Sequence, residues 1–337
     1  MKNIDQFINE LVAEFTPKQR KVLTGRFGLK TGKRATLQEI GDELGITRER
    51  VRQIEEQVIA KIREDVRAGA KELIDAASTH LNSVDSVRRD DTFIAEMKKL
   101  LNDAETKYID QKLRFIFLTA GIPQYHKEDD GVHAFWYANE EAKKRFEEFT
   151  KELTQFFKNG DRNQILREKT YLPLCKGLAS CHYLAIPKHF GENVFGDIGL
   201  REWAEIEPKT IRDKAYLVLK KHGQPLHFEH VAKSINEFGL DKKRAHVQTV
   251  HNELIKDERF VLVGRGMYGL REHGFEPGTV REVIVSLLKK HGPLSSSEVV
   301  QLVNKQRFLK ENTILLSLQN RKHFKRLENN KYSIKEA

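Results

Sequence analysis

The stretch TLQEIGDELGITRERVRQIEEQVIAKI, from Thr36 to Ile62, constrains the fold of this chain more than any other segment. Thr36 and Glu39 form a capping-box pattern, which predicts the start of a helix, and Gly45 lies where a left-handed residue would end it. Thr47 can cap a second helix directly after that turn. The pattern therefore predicts two helices joined by a tight turn, which is a helix-turn-helix.

The predicted second helix has one apolar and one polar face. At ~100° per residue, one stripe collects Val51, Ile54, Val58 and Ile62. The opposite stripe carries Arg48, Glu49, Arg52, Gln53 and Glu56. Arginine, glutamate and glutamine side chains can bond guanine, cytosine and adenine edges, and the first turns of a recognition helix reach the bases. The polar face is predicted to read DNA, the alternative being a solvated face on an ordinary helical hairpin.

A further helix is predicted just upstream, because Thr16 and Gln19 form a second capping box and Pro17 occupies the first helical position. The whole run from Phe15 to Glu64 resembles region four of bacterial housekeeping sigma factors. The matching pieces are RFGL, TLQEIG and TRERVRQIE, and the resemblance covers about residues 13–65. It implies a domain that binds the promoter −35 element and the flap of the RNA polymerase β subunit.

The resemblance also implies roles for individual residues. The family's base-contacting arginine, glutamate and glutamine fall on Arg48, Glu49 and Gln53. The predicted DNA-binding set of this region is Thr36, Thr47, Arg48, Glu49, Arg50, Arg52 and Gln53, in which Thr36, Arg50 and Arg52 correspond to backbone-facing or polymerase-facing positions. We find no aromatic, basic helix of the kind that melts the −10 element. The chain is therefore expected not to start transcription alone.

The last third of the sequence contains an internal repeat. IRDKAYLVLKKHG at residues 211–223 matches VREVIVSLLKKHG at residues 280–292. Each copy continues with Pro-Leu, two further helical segments and a hairpin pattern, whose turns are predicted at 264–266 and 329–330. Three helices followed by a hairpin predict a winged helix, so the repeat predicts two of them.

The first copy is similar to the HARE helix-turn-helix family over about residues 210–273. RDKAYLVL, HGQPLHF and GRGMYGL carry the resemblance. That family includes the δ subunit of Gram-positive RNA polymerase, which is acidic, whereas this segment is basic, and the difference favours direct contact with DNA. The predicted phosphate contacts are Lys242, Lys243, Arg244 and Arg265, with a solvated face as the alternative.

Charge supports a polyanion partner. The net charge is +10, and residues 1–70, 71–208 and 209–337 contribute +3, −4 and +11. The excess in the last third is typical of phosphate-binding surfaces. There is no signal-peptide pattern and no apolar run of membrane-spanning length. Two cysteines argue for a reducing compartment and against a disulfide framework. The predicted location is the cytoplasm, in association with the nucleoid.

Catalytic and metal-binding patterns are not recognisable. The chain has no P-loop, no H-E-x-x-H and no G-x-S-x-G motif. Cys175, Cys181 and His182 have a spacing that fits no metal motif, which favours buried or incidental thiols. We therefore predict a protein that is not an enzyme, with no catalytic residues, cofactor, metal or small-molecule substrate.

Together these features predict a mainly α-helical fold, with an N-terminal helix-turn-helix followed by winged-helix modules. The predicted domains are 1–68 (sigma-like), 70–208 (a helical region, interpreted as a degenerate winged helix with a connector), 209–274 (HARE-type) and 277–337 (the second winged helix). The predicted function is a sequence-specific, partial-sigma transcription factor whose partners are double-stranded promoter DNA and RNA polymerase core. The alternatives are a δ-like polymerase accessory subunit, or the non-catalytic recognition subunit of a restriction or modification system.

Overall fold

The computed structural model describes residues 4–102, 106–175, 182–241 and 243–335. The fold is mainly α-helical with small antiparallel sheets, which confirms the predicted fold class. The chain divides into two compact units, residues 1–191 and 192–337. Among the described helices, none combines the length and the apolar character needed to cross a bilayer.

The first unit contains nine α-helices and three strands within the described residues, besides a strand at its boundary. The helices are α1 (Ile4–Ala13), α2 (Pro17–Phe27), α3 (Leu37–Leu44), α4 (Arg48–Gly69), α5 (Lys71–Ser83), α6 (Asp90–Leu101), α7 (Ile109–Ala120), α8 (Glu140–Asn159) and α9 (Arg162–Glu168). The strands are β1 (Val87–Arg89), β2 (Gln124–His126) and β3 (Phe135–Tyr137), and β4 (Phe190–Glu192) contains the boundary between the units.

The middle region has the element order of a winged helix. α5, β1, α6, α7, β2 and β3 follow one another, and their sheet has the order β1-β3-β2. Trp136 on β3 lies opposite Arg88 on β1 and Tyr125 on β2. β1 lies between α5 and α6, and the hairpin β2–β3 follows α7.

One apolar core joins the helix-turn-helix to this middle region. It runs from Ile4 on α1 through the apolar stripe of α4 to α7 and Trp136. The rings of Phe27 and Phe115 meet edge to face, with 5.1 Å between their centroids. Because α2, α3 and α7 pack on the apolar side of α4, the other side of α4 is left open to solvent.

The second unit contains six α-helices and seven strands within its described part. The helices are α10 (Ile211–His222), α11 (Phe228–Glu237), α12 (Val247–Lys256), α13 (Val280–His291), α14 (Ser296–Gln306) and α15 (Glu311–Leu318). The strands are β5 (Ile198–Leu200), β6 (Leu226–His227), β7 (Phe260–Gly264), β8 (Met267–Leu270), β9 (Leu294–Ser295), β10 (Phe324–Arg326) and β11 (Lys331–Ile334).

The two repeats form two winged helices of the same design. Their sheets have the orders β6-β8-β7 and β9-β11-β10, which place equivalent strands at equivalent positions. Each first helix starts with a capping box, Thr210 with Asp213 in one and Thr279 with Glu282 in the other. Each module also has its own apolar cluster. The repeat in the sequence is therefore a repeat in the fold.

A buried arginine connects the two winged helices within this unit. Arg307, after α14, is 3% exposed and donates to the carbonyl oxygens of Leu262, Glu276 and Gly278 at 2.7, 2.6 and 2.9 Å. The amide of the next residue, Phe308, donates to Val263 O at 2.8 Å. These bonds occupy the outer edge of β7 and fix the second module against the first.

The expectation of free thiols is wrong for Cys175. This residue is 2% exposed, and its sulfur is part of a disulfide. Cys181 lies outside the described residues. The sequence argument failed here because a low cysteine count argues against the multi-disulfide framework of small secreted domains but does not exclude a single disulfide.

Candidate nucleic-acid interface

Arg26, within the RFGL segment, positions the two helices of the helix-turn-helix. Its Nε donates to Glu55 Oε2 on α4 at 2.8 Å, and its Nη1 donates to the carbonyl of Ala35, just before α3, at 2.7 Å. A Cβ added to Gly25 would lie 3.1 Å from Ile40 Cδ1, so α2 packs closely on α3. One side chain and one close approach therefore hold α2, α3 and α4 together.

The turn between α3 and α4 forms for local reasons. The amide of Glu39 donates to the Thr36 hydroxyl at 3.1 Å, and the Thr36 amide donates back to the Glu39 carboxylate at 2.6 Å, which completes the capping box. Gly45 ends α3 in the left-handed conformation with φ 64°. A Cβ at Gly41 would lie 2.7 Å from Ile46 O, so the turn requires glycine there as well. Thr47 then accepts from the Arg50 amide and starts α4.

The two faces of α4 are as distinct as the sequence pattern requires. The residues on the apolar stripe are all buried, namely Val51, Ile54, Val58 and Ile62. The polar residues of the first turns are all exposed, namely Arg48, Glu49, Arg50, Arg52, Gln53 and Glu56. Since α4 is 22 residues long and only its C-terminal part runs deep beside α7, its N-terminal turns present a polar surface that can enter a groove.

The exposed face of α4 carries a chain of charge pairs. Arg52 Nη2 bonds Glu49 at 2.7 Å, and the same guanidinium pairs with Glu56. Arg50 Nη1 donates to Gln53 Oε1 at 3.1 Å. These contacts hold the side chains of Arg52, Glu49 and Gln53 close together before any ligand arrives.

Within the described part of the chain, the Arg48 side chain forms neither an ion pair nor a hydrogen bond, whereas Arg50 bonds Gln53 and Arg52 bonds two carboxylates. The Arg48 guanidinium can therefore bond a guanine edge without first releasing another side chain. Glu49 is held ionised, since the hydrogen bond from Arg52 lowers the pKa of its carboxyl. A carboxylate in this state can accept a hydrogen bond from a cytosine amino group.

Thr36 and Thr47 serve first as helix caps. Each hydroxyl accepts from an amide in the following turn, which leaves its own hydrogen available for a phosphate oxygen. Six of the seven residues predicted for this region therefore lie at the N-terminal end of α4, from Thr47 to Gln53, whereas Thr36 lies at the N-terminal end of α3. Their contacts with DNA remain predictions.

The basic residues predicted for the first winged helix are spread more widely. Lys243 and Arg244 are exposed in the segment before α12, whereas Arg265 is exposed in the turn between β7 and β8. Lys242 lies outside the described residues. Lys243 and Arg244 thus lie on a different segment from Arg265, and the phosphate contacts of this set remain predictions.

Sequence reasoning missed a more concentrated basic surface in the second winged helix. Arg321, Lys325, Arg326 and Lys335 line one groove with a volume of about 620 Å³. A composition count would have found it, because residues 317–335 contain six Lys and Arg side chains and one acidic side chain, Glu328.

No cluster of three or more His, Cys, Asp or Glu side chains in the described chain has a geometry that could hold a metal ion. His182 lies 3.2 Å from Val84 O, and burial lowers the pKa of its imidazole. His227 accepts from the Glu229 amide at 3.4 Å and caps α11. These histidines have structural partners.

The structure thus defines a helix-turn-helix protein with winged-helix modules, the class of fold that binds DNA. Within it, residues 11–64 match the family model "Sigma-70, region 4". Residues 209–273 match the family model "HARE-HTH", described as an "ASXL, restriction endonuclease HTH domain". Both matches confirm the resemblances seen in the sequence, and they support a DNA-binding role related to transcription. Neither model describes a catalytic family.

Curated relatives match at the N-terminal region. The chain is 44% identical over 59 residues to the RNA polymerase sigma factor SigA of Clostridium acetobutylicum, which is 18% of this chain and 16% of that protein. It is 48% identical over 58 residues to the RNA polymerase sigma-B factor of a Nostoc species, which is 17% of this chain and 18% of that protein. With RpoD of Neisseria gonorrhoeae the identity is 34% over 84 residues, 25% of this chain and 12% of that protein. The chain therefore spans less than a fifth of the length of each relative.

Proposed function

We propose that this protein is a sequence-specific transcription factor in which α4 reads a −35-like promoter element. The observation that carries the proposal is the surface of α4: its first two turns expose Arg48, Glu49 and Gln53, while α2, α3 and α7 cover its apolar side. The match of residues 11–64 to sigma region four supports the same assignment. Arg48 and Gln53 would bond guanine and adenine edges, and Glu49 would accept from cytosine.

We extend this proposal to the other modules and to the location of the protein. The winged helices would hold flanking duplex through its phosphates, since residues 209–337 carry the largest positive excess of the chain. We propose the four domains 1–68, 70–208, 209–274 and 277–337 as the working division, and a location on the chromosome in the cytoplasm.

Selection of randomised duplexes by the full chain tests the base-reading role. The selected duplex is then bound by variants Arg48→Ala and Gln53→Ala, with Lys71→Ala as control, because Lys71 is exposed on α5 outside this face. Each of the first two changes should cost ~1–3 kcal/mol on the selected duplex and relax the preference at one position. The control should bind like the parent. Equal losses on an unrelated duplex would contradict base reading.

RNA polymerase is the second candidate partner of the same domain. This is favoured by the similarity to proteins named RNA polymerase sigma factors. The triple variant Arg48→Ala, Glu49→Ala and Gln53→Ala separates the two roles. If polymerase core still retains this variant in a pull-down while promoter binding is lost, polymerase contact lies on another surface. If neither polymerase nor a selected duplex is bound by the parent, both assignments fail.

A further inference from the structure

The second winged helix has a groove whose charged lining residues are all cationic. Arg321, Lys325, Arg326 and Lys335 line it together with Phe324 and Tyr332. We call it the wing groove. It lies between the end of α15 and the hairpin β10–β11, and its volume of about 620 Å³ is open to solvent.

The four cations of the wing groove have no acidic partner among the residues that the structure describes. Neither Arg321, Lys325, Arg326 nor Lys335 forms an ion pair there, and Arg326 bonds only the amide oxygen of Asn330, at 2.9 Å. Like charges held close together without counter-charge raise the local positive potential. The surface is therefore suited to an anion that brings several charges at a fixed spacing.

The first winged helix provides an internal comparison, residue by residue. β7 begins at Phe260 and β10 at Phe324. In each module the residue after the hairpin donates its amide to the residue before it, at 2.9 Å: Arg271 to Arg259 O, and Lys335 to His323 O. Two residues that lie the same number of positions before Phe260 and before Phe324 are therefore structurally equivalent.

Acidic residues neutralise this place in the first winged helix. Arg212 bonds Glu253 at 2.8 Å, and Arg259 bonds Asp257 at 2.7 Å and Asp213 at 3.2 Å. Asp257 lies three residues before β7, and Glu253 lies seven residues before it.

The second winged helix has other residues at these two positions. Ser317 replaces the glutamate, and Arg321 replaces the aspartate. The exchange removes two negative charges and adds one positive charge at the same point of the fold. Because Arg321 forms no ion pair with a carboxylate among the described residues, no such pair of this residue holds the hairpin in place.

We propose that the wing groove binds the phosphodiester backbone of double-stranded DNA without regard to sequence. The Arg321 and Arg326 guanidinium groups can donate in pairs to phosphate oxygens, while Lys325 and Lys335 act as point charges. Binding would release the counterions condensed on the duplex, which makes the affinity depend on salt. This proposal rests on the proposed function in one respect, because it takes DNA as the ligand.

Salt titration of the full chain on a duplex of arbitrary sequence tests the site. The variant is Arg321→Gln with Lys325→Gln. The matched control is Lys289→Gln with Lys290→Gln, which removes the same charge from exposed positions at the end of α13 in the same module. Each phosphate contact contributes about 0.9 to the slope of log K against log salt. The groove variant should lower that slope by about 2 and weaken binding roughly tenfold at low salt, whereas the control should keep the parent slope.

A second variant distinguishes a specific loss of binding from misfolding. Arg321→Asp restores the acidic residue of the first module, and its binding loss should exceed that of Arg321→Gln while the circular dichroism spectrum stays unchanged. The proposal is overturned if groove and control variants lose affinity equally, or if the slope does not change. Arg48→Ala provides the separation from base reading, because it should alter preference among sequences while the groove variants weaken binding to every duplex alike.

Discussion

α7 in the middle region and α15 in the second winged helix occupy the same place in the same element order, yet they face different surroundings. α7 buries eight residues, among them Phe115, Ile116 and Phe117, and packs on α4 and α2. α15 buries two, Ile314 and Leu318, and leaves Leu316 71% exposed. The position of a helix in a winged helix therefore does not decide whether its outer face is buried.

The outer face of α7 contacts α4. The last carbonyls of α7, at Thr119 and Ala120, accept from the guanidinium groups of Arg63 and Arg67 on α4, at 3.2 and 2.9 Å. Apolar packing and these C-terminal bonds both link α7 to the helix that we propose reads DNA. The middle region thus supports α4 by packing on it, whereas the outer face of α15 stays exposed.

The largest expected effect comes from removing a buried aromatic ring of α7. Phe115→Ala should lower the free energy of unfolding of the first unit by about 4 kcal/mol, because the ring is fully buried and leaves a cavity. Fluorescence of Trp136 in a Trp203→Phe background reports urea unfolding of this unit, since these are the two tryptophans of the chain. Leu316→Ala on α15 is the matched control. Fluorescence of Trp203 in a Trp136→Phe background reports the second unit, whose stability this change should alter by less than about 0.5 kcal/mol. Comparable losses would mean that α15 is not an open surface.

In the second unit, a single buried side chain, that of Arg307, links the two winged helices. Arg307→Met should destabilise this unit by about 3 kcal/mol, because three carbonyl oxygens lose their donor. Fluorescence of Trp203 in a Trp136→Phe background measures the loss. Lys305→Met is the control, since Lys305 is exposed on α14. A loss in the control equal to that in Arg307→Met would assign the effect to the helix rather than to the junction.

Alkaline pH should weaken the first unit through Tyr183. Burial raises the pKa of this phenol to about 12, and its hydroxyl donates to Asp85 O at 2.5 Å. The unfolded phenol ionises near pH 10, so the stability due to its neutral form is complete below pH 10 and is lost as the pH rises towards 12. By pH 11 the loss should be about 1 kcal/mol. Unfolding curves at pH 9 and 11 measure it, and Tyr183→Phe should reduce the difference between them.

Local signals and distant contacts differ in how far the sequence could predict them. The Thr36 capping box, the left-handed Gly45 and the apolar stripe of α4 each depend on residues close along the chain, and all were predictable. The burial of α7 against α4 depends on surfaces that are far apart in sequence, as the bond from Arg63 to Thr119 shows. No periodicity within either helix specifies its partner.

The wing groove was missed for a related reason. Its cations come from the end of α15 and from both strands of the hairpin, and their significance depends on which acidic residues are absent at equivalent positions. The similarity between the two repeats directs attention to the apolar spacing that they share. The difference in charge lies at positions that this spacing does not constrain, among them Ser317 in place of Glu253 and Arg321 in place of Asp257.

The smallest expected effect concerns Thr36, whose hydroxyl serves as a cap and is also proposed to contact DNA. Thr36→Ala should cost about 1 kcal/mol of stability, because the amide of Glu39 loses its acceptor. Thr36→Asp should keep the cap, since aspartate is at least as good an N-cap residue, but its carboxylate has no donor for a phosphate oxygen. Thermal melting and duplex binding of both variants separate the two roles. If Thr36→Asp melts like the parent and binds DNA as tightly, the hydroxyl acts only through the helix, and the exposed face of α4 carries the recognition without it.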